Sequence, residues 1–89
     1  MPNLISPQIK VTVKLFAAFQ EVVAKSEIYL ELPEYSPVSS VYEQLVATYP
    51  VLESWRAVTR YAVNLNFVDK NTPLQNGDEV GLIPPVSGG

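Results

Sequence analysis

The sequence predicts an α+β domain, a mixed sheet with one main helix packed on one face. Three features of the chain lead there. Two segments near the amino end alternate apolar and polar residues, one central stretch has helical spacing, and the last third breaks into short apolar runs between turn residues. The order strand, strand, helix, strands makes two layers around a single core.

The first strand runs from Gln8 to Phe16, because Ile9, Val11, Val13 and Leu15 alternate with Lys10, Thr12, Lys14 and Phe16, the period of a half-buried strand. The link Ala17 to Lys25 has room for a helical turn. A second strand follows, in which Ile28, Leu30 and Leu32 alternate with Glu27, Tyr29 and Glu31 before Pro33 stops it. Strands joined by so short a link commonly pair antiparallel.

Ser36-Pro37 offers a helix start, a hydroxyl for the orphan N–H groups and a proline preset for the first turn. Val38, Val41, Tyr42, Leu45 and Tyr49 then recur at helical spacing, so the helix is expected over Pro37 to Tyr49 and ends before Pro50. Val51 to Arg60 is less periodic and allows a second short helical turn around Leu52 and Trp55. Tyr61 to Leu65 and Phe67 to Val68 read as short strands, with Asn64 and Asn66 near a tight reversal. Turn-rich connectors, Asp69 to Pro73 and Gln75 to Asp78, lead to a last strand, Glu79 to Ile83.

Composition narrows the chemistry. With 89 residues, 47% of them hydrophobic, the chain has material for one small core and no second domain. Cysteine and histidine are both absent, which removes disulfides, thiol nucleophiles and the usual neutral-pH base and metal ligand. No intrinsic catalytic residues, no metal site and no bound cofactor are expected. A net charge of −3 with only six basic residues gives no footprint for a phosphate backbone, so nucleic acid is not an expected partner. No segment approaches the ~20 apolar residues of a membrane span, and a cytoplasmic protein without membrane association is expected. Four glycines, two of them terminal, leave no Gly-rich phosphate loop.

The end of the sequence is its most specific part. Asn76-Gly77-Asp78-Glu79-Val80-Gly81-Leu82-Ile83 is a turn and an apolar strand running into Pro84-Pro85-Val86-Ser87-Gly88-Gly89. The prolines hold the backbone extended, and glycine, lacking Cβ, slips through narrow channels. Together with Tyr61-Ala62-Val63-Asn64 and Thr72-Pro73-Leu74, this string resembles the small, sulfur-carrying subunit of molybdopterin synthase, over roughly Val11 to Gly89. The resemblance implies a ubiquitin-like β-grasp with the first and last strands side by side in mid-sheet. Residues 1–8 are then an expected disordered extension, 9–84 the domain and 85–89 a flexible tail. The Pro37 position departs from the Thr expected there.

The resemblance also implies a chemistry. A separate ubiquitin-activating-enzyme-like adenylyltransferase uses ATP to adenylate the Gly89 carboxylate, and a sulfur donor displaces AMP to leave a thiocarboxylate. Docked in the large catalytic subunit, in a heterotetramer of two small and two large subunits, the tail Pro84, Pro85, Val86, Ser87, Gly88 delivers sulfur to cyclic pyranopterin monophosphate. Two alternatives stay open. Related carriers serve thiamine synthesis, tRNA thiolation or cysteine synthesis, or are conjugated to proteins as modifiers, and a β-grasp module without any covalent role is the other.

Alternation supplies a candidate docking face. Phe16 falls opposite Ile9, Val11, Val13 and Leu15, and Ile83 falls opposite Val80 and Leu82, so both belong to the outer face of the sheet. With Phe67 they form the expected partner interface, an apolar patch beside the tail. The competing expectation buries Phe16 and Ile83 under a terminal segment. Asp78 and Glu79 are adjacent on a strand and point apart, which argues against an acid–base pair. Trp55, Tyr42 and Tyr49 are read as packing residues.

Overall fold

A computed structural model of the chain describes residues 7–85. Five strands, β1 (Gln8–Leu15), β2 (Glu27–Pro33), β3 (Arg60–Val63), β4 (Asn66–Val68) and β5 (Glu79–Ile83), form one sheet in the order β2-β1-β5-β3-β4. Two helices, α1 (Ala17–Val23) and α2 (Ser39–Thr48), and a 3₁₀ segment, Pro50–Val58, connect them. β1 pairs antiparallel with β2 and parallel with β5, while β3 pairs antiparallel with both β5 and β4. This is a ubiquitin-like β-grasp, a mixed sheet with its first and last strands adjacent in the middle.

Alternation decides which side of the sheet is buried. Ile9, Val11, Val13 and Leu15 of β1 face inward with Val80 and Leu82 of β5, Leu32 of β2 and Tyr61 of β3. α2 closes over them through Val41, Tyr42 and Leu45, with Val38 just before it. Tyr42 is the hub. It is fully buried, its hydroxyl donates to the Leu52 carbonyl at 2.7 Å, and its ring meets Phe19 and Tyr61 edge to face at 5.9 and 6.5 Å. Burial pushes the Tyr42 phenol above its ordinary pKa, so the group stays protonated as the donor that the carbonyl requires. Phe19, also fully buried, packs edge to face on Trp55 at 5.7 Å. The short α1 brings Phe19 there, a core contribution that the sequence reading of the 17–25 link does not include.

β3 begins at Arg60, β4 begins at Asn66 and α2 ends at Thr48, each one residue from expectation, and four further boundaries differ. Gln8 is the first residue of β1 and the Pro7 carbonyl accepts the Glu34 N–H at 2.8 Å, so order begins inside the segment expected to be a disordered extension over 1–8. Residues 1–6 of that segment lie outside the described residues. Phe16 is not part of β1; it is the extended residue that precedes α1. Leu65 is not a strand residue either, because β3 ends at Val63 and Asn64 and Leu65 turn the chain.

The fourth difference is the start of α2. Ser36 does not cap it. Its hydroxyl donates backward to the Pro33 carbonyl at 2.6 Å, and the helix begins at Ser39 with no side-chain cap. The orphan donors are met by a distant loop instead. Val38 N–H donates to the Thr72 carbonyl at 2.8 Å and Ser39 N–H to that of Lys70 at 3.1 Å. Pro37, which has no N–H, forms a bridge to Pro73, and Leu74 N–H donates to the Ser36 carbonyl at 2.8 Å. Leu74 is thereby carried into the core, fully buried.

The packing of α2 gives a direct test. Leu45 is 3% exposed, so Leu45→Ala is expected to lower the unfolding free energy by about 2–5 kcal/mol in denaturant titration. Tyr42→Phe, which removes the buried bond to the Leu52 carbonyl, is expected to cost about 0.5–1.5 kcal/mol. A Leu45 change below about 1 kcal/mol would contradict the observed helix register.

Candidate docking face and tail exit

The outer face of the sheet is organised by one row of residues that crosses all five strands. Phe67 pairs with Ala62, Ala62 with Gly81, Gly81 with Lys14, and Lys14 with Glu27. Residues in register share a face, so the row runs from an aromatic ring over two small residues to an ion pair. Phe16 and Ile83, two residues beyond Lys14 and Gly81, stand next to it. A Cβ built on Gly81 would lie 3.6 Å from the Phe16 ring, 3.7 Å from Ala62 Cβ and 3.8 Å from Ile83 Cδ1. These four residues therefore converge, with Gly81 as the low point between them.

Every interface residue named from the sequence that is described thus lies on this face. Phe16 is 46% exposed and Phe67 69%, while Ile83 is partly buried against its neighbours. Strand pairing explains why they meet: β1 and β5 are parallel, so Phe16 and Ile83 leave their strands at the same end of the sheet. Pro84 and Pro85 follow at once. The chain therefore exits beside the Phe16–Ile83 pair, whereas Phe67 flanks the floor from the β4 side. The tail residues Val86, Ser87, Gly88 and Gly89, including the expected reactive carboxylate, lie outside the described residues.

Gly81 and Ala62 were not singled out from sequence. A signal existed, since Gly81 has the same strand parity as Ile83, and a glycine in an apolar strand often marks a close approach. The polar border was also missed. Lys14 Nζ donates to Glu27 Oε1 at 2.6 Å, the Tyr29 hydroxyl donates to the other oxygen of Glu27, and Glu79 stands 4.0 Å from Lys14. The Lys14 bond, with a second from Tyr29, holds the Glu27 carboxyl below its ordinary pKa. Through the same contacts Glu27 raises the pKa of both Lys14 and Tyr29.

At the other end of β5 the Asn76-Gly77-Asp78 turn locks the strand in place. Gly77 takes φ +88°, a conformation that favours glycine. Asn76 Oδ1 accepts the Lys10 N–H at 2.9 Å and Gly77 N–H donates to the Lys10 carbonyl at 2.8 Å. Asp78 spends its carboxylate structurally, accepting Gln75 N–H at 2.8 Å and Asn64 Nδ2 at 3.0 Å. Asn64 is more than a turn former, because its Oδ1 also accepts Glu79 N–H at 3.0 Å. Among the described residues no helix is long and apolar enough to cross a membrane.

Residues 13–89 match the model of the ThiS family. A protein of Dictyostelium discoideum named molybdopterin synthase sulfur carrier subunit is 36% identical over 78 residues, 84% of this chain and 91% of that one. The solution structure of small archaeal modifier protein 1 from Methanosarcina acetivorans superposes with a TM-score of 0.74 at 28% identity, covering 94% of this chain and 100% of that one. A chain from a Helicobacter pylori complex of subunits 1 and 2 of molybdopterin-converting factor superposes with a TM-score of 0.62 at 26% identity, covering 91% of this chain and 100% of that one.

The Lys14–Glu27–Tyr29 group predicts an acid limb in stability. The folded-state pKa of Glu27 is lowered from 4.5, so its stabilisation is complete above that value and disappears as pH falls through the lower folded one. The contribution is small, because the pair is solvent-exposed. Melting temperature measured against pH is expected to fall less steeply below about pH 4.5 in Glu27→Gln than in the unmodified chain. Parallel curves would show that the pair contributes nothing.

Proposed function

The chain belongs to the ThiS family, and we propose that within it this protein is the sulfur-carrier subunit of a molybdopterin synthase. The observation that carries the reading is that the family match runs through Gly89 on a chain whose relative in Dictyostelium bears that name. The exit of the chain beside an exposed apolar face supports it, since a carrier needs a docking surface next to its transferable group.

In this reading the Gly89 carboxylate is the working atom group. A carboxylate is a poor electrophile, so an adenylyltransferase partner activates it: a carboxylate oxygen attacks the α-phosphorus of ATP and pyrophosphate leaves. Hydrosulfide or its equivalent then attacks the acyl carbon, AMP departs, and a thiocarboxylate remains. The protein itself holds no cofactor in this cycle. ATP and the sulfur donor belong to the activating step, and a cytoplasmic location is part of the proposal. The Helicobacter complex of two subunits supports a large-subunit partner that receives the loaded tail and supplies the substrate pocket. A dithiolene contains two sulfurs, so two loaded carriers act per product, consistent with a heterotetramer of two small and two large subunits.

A second reading is favoured by the likeness to small archaeal modifier protein 1. It shares the activation and changes the nucleophile, a target lysine amine in place of sulfur, so that Gly89 ends in an isopeptide bond. The two readings separate at the product.

Two measurements test the proposal. Incubated with the adenylyltransferase, ATP and a sulfide source, the protein is expected to gain at its carboxyl terminus the mass difference between one oxygen and one sulfur. Deleting Gly88-Gly89, or extending the chain past Gly89, is expected to abolish that gain without changing the melting temperature. Loading of the truncated chain, or lysine conjugation in place of sulfur, would overturn the carrier reading.

The second concerns docking. Phe16→Asp sets a charge where apolar surface would be buried and is expected to abolish association with the large subunit in titration calorimetry while the fold persists, because Phe16 is 46% exposed. Unaltered affinity would remove this face from the interface.

A further inference from the structure

We infer that Leu65, at the tip of the β3–β4 hairpin, is a second anchor for the large-subunit partner, far from the tail. The inference rests on the carrier reading and extends its docking surface. The hairpin closes between Val63 and Asn66 through a two-residue turn in which both Asn64 and Leu65 have positive φ, 50° and 73°. Turns of this kind favour Asn followed by Gly. Asn64 suits its place. Leu65 does not, because its Cβ meets the backbone in the left-handed region, and a side chain held there is strained.

Among the described residues, no burial of the Leu65 side chain offsets that strain. Leu65 is 92% exposed, the most exposed large apolar side chain among the described residues. Its apolar surface meets water, not the core. A strained, fully hydrated leucine is unfavourable for the isolated chain on both counts, and a contact with another molecule removes the second.

The tip is also held ready. Asn64 N–H donates to the Glu79 carbonyl at 2.8 Å, its side chain bridges Glu79 N–H and Asp78, and Asn66 Nδ2 donates to the Asn64 carbonyl at 3.2 Å. These bonds fix the turn before any partner arrives, so docking orders little backbone there.

Continuity identifies the occupant. Phe67, two residues from Leu65, opens the row that passes through Ala62 and Gly81 to the surroundings of Phe16 and Ile83. Because β3 is antiparallel to β5, the hairpin tip lies at the Glu79 end of β5 and the tail leaves from the Ile83 end. A partner that holds the tail and covers the floor between Phe67 and Phe16 reaches the tip at the far side. Anchored at both ends, the carrier cannot pivot, and its tail enters the partner along one direction.

Leu65→Gly and Leu65→Asn in the full-length chain test this, with the cognate large subunit as titrant in calorimetry and thermal unfolding run in parallel. Both variants are expected to melt at or above the temperature of the unmodified chain, since both residues accept the left-handed region, and to bind about tenfold more weakly. Unchanged affinity in both, alongside a Phe16→Asp variant that fails to bind, overturns the Leu65 assignment alone. Normal binding by Phe16→Asp overturns the docking face beneath it. A melting temperature lowered by several degrees in Leu65→Asn assigns the leucine to the fold. A dimer of the isolated chain in sedimentation that disappears with Leu65→Asn assigns it to a second copy, and slowed sulfur loading with unchanged docking assigns it to the activating enzyme. Each of those three results also overturns the inference.

Discussion

Thr12 to Leu15 lie beside Glu79 to Leu82 in parallel register, and this pairing of the first strand with the last governs the molecule. It buries Val13 against Val80 and Leu15 against Leu82, the middle of the core. It also brings Phe16 and Ile83 to one end of the sheet, so the chain leaves the domain next to an apolar surface. Parallel strands need a long crossover, and here everything between β1 and β5 serves as one. The entropy of closing so long a loop grows only slowly with length, and the buried apolar area of both strands offsets it.

The two faces of that sheet have opposite tasks. The inner face is filled by branched aliphatic residues and by the Tyr42–Phe19–Trp55–Tyr61 group of rings. The outer face is lined by small residues at its centre, Ala62 and Gly81, between exposed rings and an ion pair. A large side chain at either small position would project into the space between Phe16 and Phe67. The absence of Cβ at Gly81 therefore shapes the surface, with no demand on the backbone conformation. The same division suits a carrier, whose stability must come from one side because the other has to remain available.

Backbone satisfaction follows a similar economy of parts. The amino end of α2 is closed by carbonyls of Lys70 and Thr72, and the amino end of β5 by Asn64 and the Asn76 turn. One loop thus caps the helix and delivers Leu74 to the core, and one asparagine joins two turns. Such long-range partners make the connectors part of the cooperative unit. In the proposed function this rigidity keeps the docking face in shape.

The sequence by itself determined the strand and helix pattern, the inward set Ile9, Val11, Val13, Leu15, Val80 and Leu82, and the outward placement of Phe16 and Ile83. These follow from periodicity, which is local: a strand's parity assigns its faces before any partner is known. The Gly-Gly ending and its resemblance to sulfur carriers were legible for the same reason, as a contiguous string. Tertiary structure alone decided the rest. Phe19 enters the core from a link too short to show a period, α2 is capped by a loop more than thirty residues downstream of Ser36 and not by its hydroxyl, and Gly81 becomes the floor of a patch only once β1, β3 and β5 lie side by side. Leu65 looked like the end of a strand because leucine rarely occupies a left-handed turn; the clamp of Asn64 on Asp78 and Glu79, set by residues distant in the chain, holds it there.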